Sequence, residues 1–270
     1  MNSRPGVTAT AIHKTSGLKD FHLLSYSYWE KTGSMKSFAV KHRGLVKEDN
    51  QDLFFVKEFD DGSILLAVAD GLGGMVGGKR AAEMAKESLN NFNPDCQAVE
   101  AHIEELMQEA NRRIMETVEK EPDLEGMGTT MTAALVGNET VCWAHVGDSR
   151  LYLFRADELR QVTEDDTMAG FLLSEGQLTK EEARLHPGNK FVFQCIGGSG
   201  EFEADTGNFK VQAGDLLLLS TDGLHDEVPE EEIVSTLRSD KDLEKKLEAL
   251  LSAALAAGGK DNLAVVVVEV

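Results

Sequence analysis

Disulfide chemistry has little to work with in this chain: three cysteines, Cys96, Cys142 and Cys195, lie far apart and form no C-x-x-C pair. An odd, scattered set excludes both a disulfide framework and a zinc knuckle, and it fits a reducing cytoplasm. Long hydrophobic runs are missing too. None approaches the roughly 18 residues that a membrane span needs, and no basic stretch followed by an apolar run of about 7–15 residues marks a secretory signal. Basic charge is scarce, with 27 Lys and Arg against 47 Asp and Glu and a net charge of −20. Such a surface repels phosphate backbones and anionic headgroups, so neither nucleic acid nor a membrane is expected as a partner. Much of the acid falls on helix faces, as at Glu100, Glu104, Glu105 and Glu109, where solvation accounts for it.

What is present suits one large globular domain: 270 residues, 41% of them hydrophobic, can bury a sizeable core. Residues 1–35 mix Ser, Thr and Lys with Phe21, Tyr26, Tyr28 and Trp29 without a period, and read as an N-terminal extension. From 36 to 270 short apolar runs alternate with amphipathic stretches. Strands are expected near 37–42, 52–57, 64–69, 131–136, 140–146, 150–155, 159–162, 215–220 and 263–269. Helices are expected near 78–92, 96–119, 229–237 and 241–256, with hairpin turns at Gly137-Asn138 and Ala156-Asp157. Residues 165–200 are irregular apart from one short helix opened by the capping box of Thr179 and Glu182. Runs of strands interrupted by paired helices imply an antiparallel α+β layering, with helices outside the sheets.

The most informative pattern is an internal echo. ILLAVADG (64–71) and LLLLSTDG (216–223) are apolar runs that stop at Asp-Gly, placing Asp70 and Asp222 alike. Asp148 ends the strand of VCWAHVGDSR, and Asp261 precedes the last strand. A lone Asp-Gly is ordinary turn chemistry. Four strand-end aspartates on one sheet edge are not, because clustered carboxylates force up one another's pKa unless cations balance them. Oxygen ligands without His or Cys select Mg²⁺ or Mn²⁺. Two such ions ~3.5–4 Å apart can share a water and aim it at phosphorus.

These residues resemble the metal-dependent Ser/Thr protein phosphatases of the PPM, or type 2C, family in their bacterial form. Six blocks occur in the family's order: GLVKEDNQD (44–52), VADGLGG (68–74), GMGTTMTAAL (126–135), AHVGDSRLYLFR (144–155), GDLLLLSTDGLHDEV (214–228) and GGKDNLAVVVVEV (258–270). The resemblance implies an antiparallel β-sandwich flanked by helix pairs on both sides, in α-β-β-α layers, with a variable flap at about 165–195. It implies two core ions and a third, weaker one. Asp70 bridges the core pair, Asp52 and the Gly71 carbonyl serve the second ion, Asp222 and Asp261 hold the first, and Asp148 meets the third. Asn262 is a neighbour of the site. A phosphoprotein substrate made by a Ser/Thr kinase follows, for a cytoplasmic monomer.

The sequence departs from the family at several places. Lys47 stands where an Arg usually clamps the substrate phosphate, keeping the charge but losing the bidentate fork, with Arg43 as a nearby substitute. Leu72, Met75 and Asp166 stand where members carry histidines, so no histidine acid is assigned, and a metal-bound water can take that role. These departures motivate the alternative of a non-catalytic relative that binds a phosphoprotein or regulator. Other classes fail on single positions. Gly73 to Arg80 mimics a P-loop but has Arg80 where Mg²⁺ needs Ser or Thr, and Val76 breaks a dinucleotide fingerprint. The residues six after the cysteines are His102, Asp148 and Glu201, not Arg, and no G-x-S-x-G elbow occurs. His102, His186 and His225 read as surface or packing residues.

Overall fold

The run Ile64–Ala69 is apolar at every position because both of its faces are covered. Ile64, Leu66 and Val68 point into the space between two sheets, while Leu65, Ala67 and Ala69 point at helices. The last strand behaves in the same way, with Ala264, Val266 and Val268 facing the other sheet and Leu263, Val265 and Val267 facing helices. Alternation is thus hidden in the sequence and restored by layering.

The computed structural model describes residues 26–27, 35–198 and 200–270, with Tyr26, Ser27, Met75 and Val76 described by their backbone. In chain order the elements are β1 (Tyr26–Ser27), β2 (Lys36–His42), β3 (Leu53–Glu58), β4 (Ile64–Ala69), β5 (Gly71–Leu72), α1 (Gly74–Ser88), α2 (Val99–Lys120), β6 (Gly128–Thr129), β7 (Met131–Val136), β8 (Thr140–Val146), β9 (Arg150–Arg155), β10 (Glu158–Gln161), α3 (Met168–Ser174), α4 (Lys180–Leu185), β11 (Ile196–Gly197), β12 (Asp205–Lys210), β13 (Leu216–Ser220), α5 (Asp222–His225), α6 (Glu230–Arg238), α7 (Leu243–Ala256) and β14 (Leu263–Glu269). One sheet runs β1-β2-β14-β13-β9-β10 and the other β12-β8-β7-β4-β3, with a small third sheet β11-β6-β5. Every pairing is antiparallel.

Helices α1 and α2 pack on one outer face through Ala81, Ala85, Ile103, Met107 and Ile114. Helices α6 and α7 pack on the other through Ile233, Leu237, Leu247, Leu250 and Leu251. The result is the expected α-β-β-α sandwich. Helix α7 shows how the local sequence achieves it: Asp242 caps the first turn by accepting from the Lys245 N–H at 2.9 Å, and the leucine stripe falls on one face.

Several expectations need correction. Within the N-terminal extension Tyr26 and Ser27 pair with Ala39 and Phe38 at the sheet edge, and its other residues before Met35 lie outside the described part. Helix α1 starts at Gly74, four residues before its expected start, because its glycines serve packing: a Cβ on Gly78 would stand 2.6 Å from the Gly71 carbonyl, and one on Gly77 2.8 Å from Met127 Cβ. This close approach explains the P-loop-like spacing without a phosphate. Strand β12 and helix α3 were not expected. Strand β12 (DTGNFK) is a polar edge strand with no apolar alternation, and α3 is a two-turn helix capped by Thr167.

Candidate metal centre

Strand register places the aspartates together. Leu53 pairs with Ala69, so Asp52 and Asp70 leave the five-stranded sheet at one end; Met131 pairs with Val146 there, with Asp148 in the turn beyond. In the facing sheet Ser220 pairs with both Val265 and Arg150, which brings Asp222 and Asp261 to the same end. Two elements differ from expectation. Asp222 opens the short helix α5 instead of closing a strand. The glycines after Asp70 and Asp222 are also required by close backbone approach, not by a left-handed turn: a Cβ on Gly223 would fall 1.8 Å from the Asn262 carbonyl oxygen.

Burial and mutual repulsion dominate the electrostatics. Desolvation, then the charges of Asp222 and Asp261, pushes the Asp52 carboxyl up to about 8, although the Thr221 hydroxyl donates to its Oδ2 at 2.6 Å. Desolvation and the neighbouring Asp52, Asp222, Asp148 and Asp261 hold Asp70 well above its ordinary value. Asp148 is raised in the same way by burial and by Asp222. Backbone bonds fix Asp70, whose carbonyl accepts from the Thr130 N–H at 2.9 Å and the Thr129 hydroxyl at 2.8 Å.

Two lysines supply the positive charge. Lys47 Nζ lies 2.7 Å from Asp261 Oδ1; burial works against its charge, but the hydrogen bond and charge of Asp261 carry its pKa above the usual lysine value. Lys190 Nζ lies 2.6 Å from Asp222 Oδ2 and 2.5 Å from Asp226 Oδ2. Asn262 does not face the cluster as a free polar group: its Oδ1 accepts from the Gln51 N–H at 2.8 Å, and its Nδ2 donates to the carbonyls of Arg43 and Asp49 at 2.9 and 2.8 Å. It therefore folds the loop that carries Lys47 and Asp52. Arg43 reaches only the Glu48 carbonyl, at 3.5 Å.

Asp52 Oδ1, Asp148 Oδ1 and Asp222 Oδ1 are buried with no hydrogen-bond donor among the described residues. A buried carboxylate oxygen lacking a donor is costly, and three in one cluster fit a cation. Among the described residues no three His, Cys, Asp or Glu side chains are gathered so that they could hold a metal ion between them. Mg²⁺ and Mn²⁺ keep several waters in their coordination shell, so carboxylates converging on one end of the sandwich suit them without being tightly gathered beforehand.

The histidines are occupied elsewhere. The His145 ring is buried, Nδ1 against the Thr132 hydroxyl at 2.8 Å and Nε2 against the Glu164 carbonyl at 2.9 Å, while His225 Nδ1 faces Ser220 Oγ at 3.3 Å. Desolvation lowers the pKa of both. Asp166 ties the segment after β10 to the turn before Asp148, its Oδ2 accepting from the Gly147 N–H at 2.8 Å and its Oδ1 from Gln194 Nε2 at 3.1 Å. Sequence reasoning missed Thr221, Asp226 and Lys190. Thr221 had a usable signal, being a hydroxyl next to a strand-end Asp, whereas Lys190 sits in an irregular stretch that offers none.

A four-layered antiparallel sandwich thus carries an acidic cluster at one end. A profile of the Protein phosphatase 2C family matches residues 42–267, and the chain belongs to that family. It is 38% identical over 233 residues to the serine/threonine phosphatase stp of Listeria innocua, covering 84% of this chain and 92% of that one. The crystal structure of the Mycobacterium tuberculosis serine/threonine phosphatase PstP/Ppp aligns at a TM-score of 0.79 with 36% identity, covering 87% of this chain and 98% of the other. A PstP catalytic domain in complex with two manganese ions aligns at 0.78, again at 36% identity, with coverages of 87% and 97%.

Proposed function

We propose that this phosphatase hydrolyses phosphoserine and phosphothreonine in proteins with two core Mn²⁺ or Mg²⁺ ions, held by Asp70 as the bridge, Asp52 with the Gly71 carbonyl, and Asp222 with Asp261. A third, weaker ion belongs at Asp148. The observation that carries this reading is the set of three donor-less buried oxygens on Asp52, Asp148 and Asp222. The two-manganese complex of the related PstP domain supports the number of core ions.

When bound, the ions supply a water of lowered pKa as nucleophile and neutralise charge on the phosphoryl group. The residues of the chain prepare that step. Thr221 orients Asp52 through its hydroxyl, and Asn262 holds the 43–51 loop so that Lys47 stands at the rim, about half exposed. From there the flexible lysine stem can leave Asp261 and meet a substrate phosphate oxygen as a single charged donor. His145 and His225 are turned to partners inside the protein, and the leaving oxygen takes its proton from water. Residues 165–195 act as the flap. The substrate is a phosphoprotein made by a Ser/Thr kinase, and the acidic surface of a cytoplasmic monomer disfavours nucleic acid. Among the described residues no helix is long and apolar enough to cross a membrane.

The test is hydrolysis of p-nitrophenyl phosphate and of a phosphothreonine peptide with Mn²⁺, with Mg²⁺ and with chelator, using Asp222→Asn as control. Metal-dependent release that the variant lacks is expected. No release under any condition would return the chain to the non-catalytic reading.

A further inference from the structure

Lys190 is the one lysine among the described residues that binds two carboxylates of the site region at once, and it comes from the flap. Other flap contacts to the body are polar too: Asp165 with Arg150 at 2.6 Å, Asp166 Oδ2 with the Gly147 N–H at 2.8 Å, Lys180 with Glu230 at 3.1 Å, Arg184 Nη1 with the Asp226 carbonyl at 3.0 Å, and Asn189 Nδ2 with Asp226 Oδ1 at 3.4 Å. Apolar packing beneath the segment is confined to a few small side chains, Ala169 and Ala183 among them. Beneath α3 and α4 lies a cavity of about 330 Å³, walled by Tyr152, Leu173, Ala183, Val228 and Ile233. Flap position therefore depends on a few polar links, and only that of Lys190 uses an oxygen of a proposed metal ligand.

The same corner has capacity to spare. Beside the Asp222 oxygen that Lys190 takes, the second oxygen of Asp222 and Oδ1 of Asp148 are buried without donors. An ammonium delivers one charge at hydrogen-bond distance, whereas a divalent ion delivers two and approaches oxygen more closely. Held on one carboxylate, the two cations repel, so occupancy by one weakens the other.

We propose that Lys190 is a tethered counter-cation that competes with the weaker divalent ion for the Asp148, Asp222 and Asp226 corner. The flap is latched when the ammonium holds the corner and freed when the ion does. Lys190 is in this sense a positioning residue, setting the metal concentration at which the flap opens. The idea rests on the metal-cluster assignment above, and its test separates the two.

The experiment titrates Mn²⁺ into the full chain, counting free ion by its electron paramagnetic resonance signal, and follows amide hydrogen exchange across 168–193. Wild type, Lys190→Met and Lys190→Arg are compared; the side chain is half exposed, so neither change disturbs the core. If the latch is closed about nine-tenths of the time, its removal tightens the weakest class of sites roughly tenfold, because apparent affinity scales with the competent fraction. The tight class, which shares Asp222, changes less than the weak one, Lys190→Arg keeps the wild-type affinity, and flap exchange in wild type rises only as the weak site fills while in Lys190→Met it is high throughout. Equal weak-site affinity in wild type and Lys190→Met, Lys190→Arg behaving like Lys190→Met, or flap exchange indifferent to Mn²⁺ would each overturn the latch. Absence of any tight site in wild type would instead overturn the metal cluster itself.

Discussion

At the scale of single residues, the chain places carboxylates where the fold alone gains nothing from them. Asp70→Asn and Asp222→Asn are expected to abolish metal-dependent turnover while leaving the circular dichroism spectrum unchanged; near-wild-type rates in both variants would refute the cluster. Thr221→Val removes the donor at 2.6 Å from Asp52. Because partners of ligands tune metal affinity, the Mn²⁺ concentration for half-maximal activity should rise about 10–100-fold, with the maximal rate less affected. Lys47→Arg restores a bidentate fork and should lower KM for phosphate monoesters; an unchanged KM would remove Lys47 from the phosphate site. The aspartates were legible because apolar runs ending in Asp form a pattern along the chain. Asp226 and Lys190 were not, since their importance lies in contacts between segments far apart in sequence, such as the 32 positions between Lys190 and Asp222.

Among the elements, the strands and long helices were readable wherever burial imposes a period. The leucine stripe of α7 is visible in sequence because one face is dry. Strand β12 was invisible because edge position removes that demand: its backbone pairs with β8 from Asp205 to Lys210, yet its side chains are mostly exposed. Turn chemistry was half legible. Ala156 and Asp157 form the expected two-residue hairpin between β9 and β10, with φ of 50° and 66°, the left-handed region that suits glycine. Ala156→Gly should therefore raise stability by about 0.5–1 kcal/mol, less what the freer unfolded chain takes back, readable as a higher urea midpoint at constant slope.

For the molecule as a whole, the acidic cluster ties stability to metal and pH. Without metal, Asp52 keeps its proton in the folded chain up to about pH 8, while an unfolded aspartate loses it near 4. The folded state then binds more protons, so stability falls as pH rises through that window. Buried His145 and His225 act oppositely only below their ordinary value of about 6.5. The chelated protein should accordingly melt at a lower temperature at about pH 8.5 than at about pH 7, and saturating Mn²⁺ should flatten or reverse that slope. A chelated melting temperature that climbs over this interval would contradict the burial of the cluster.

The place of β14 has a consequence for how each copy comes into use. This strand, Leu263–Glu269, lies between β2 and β13 in the middle of its sheet, and Asp261 and Asn262 immediately precede it. During synthesis the amino-terminal segments emerge first. Until Glu269 has left the ribosome tunnel, one sheet lacks its central partner, α6 and α7 have no complete floor, and the Lys47 loop has no Asn262 to fold around. The site therefore assembles only once residues through Glu269 stand outside the tunnel, however much of the sheet has already formed.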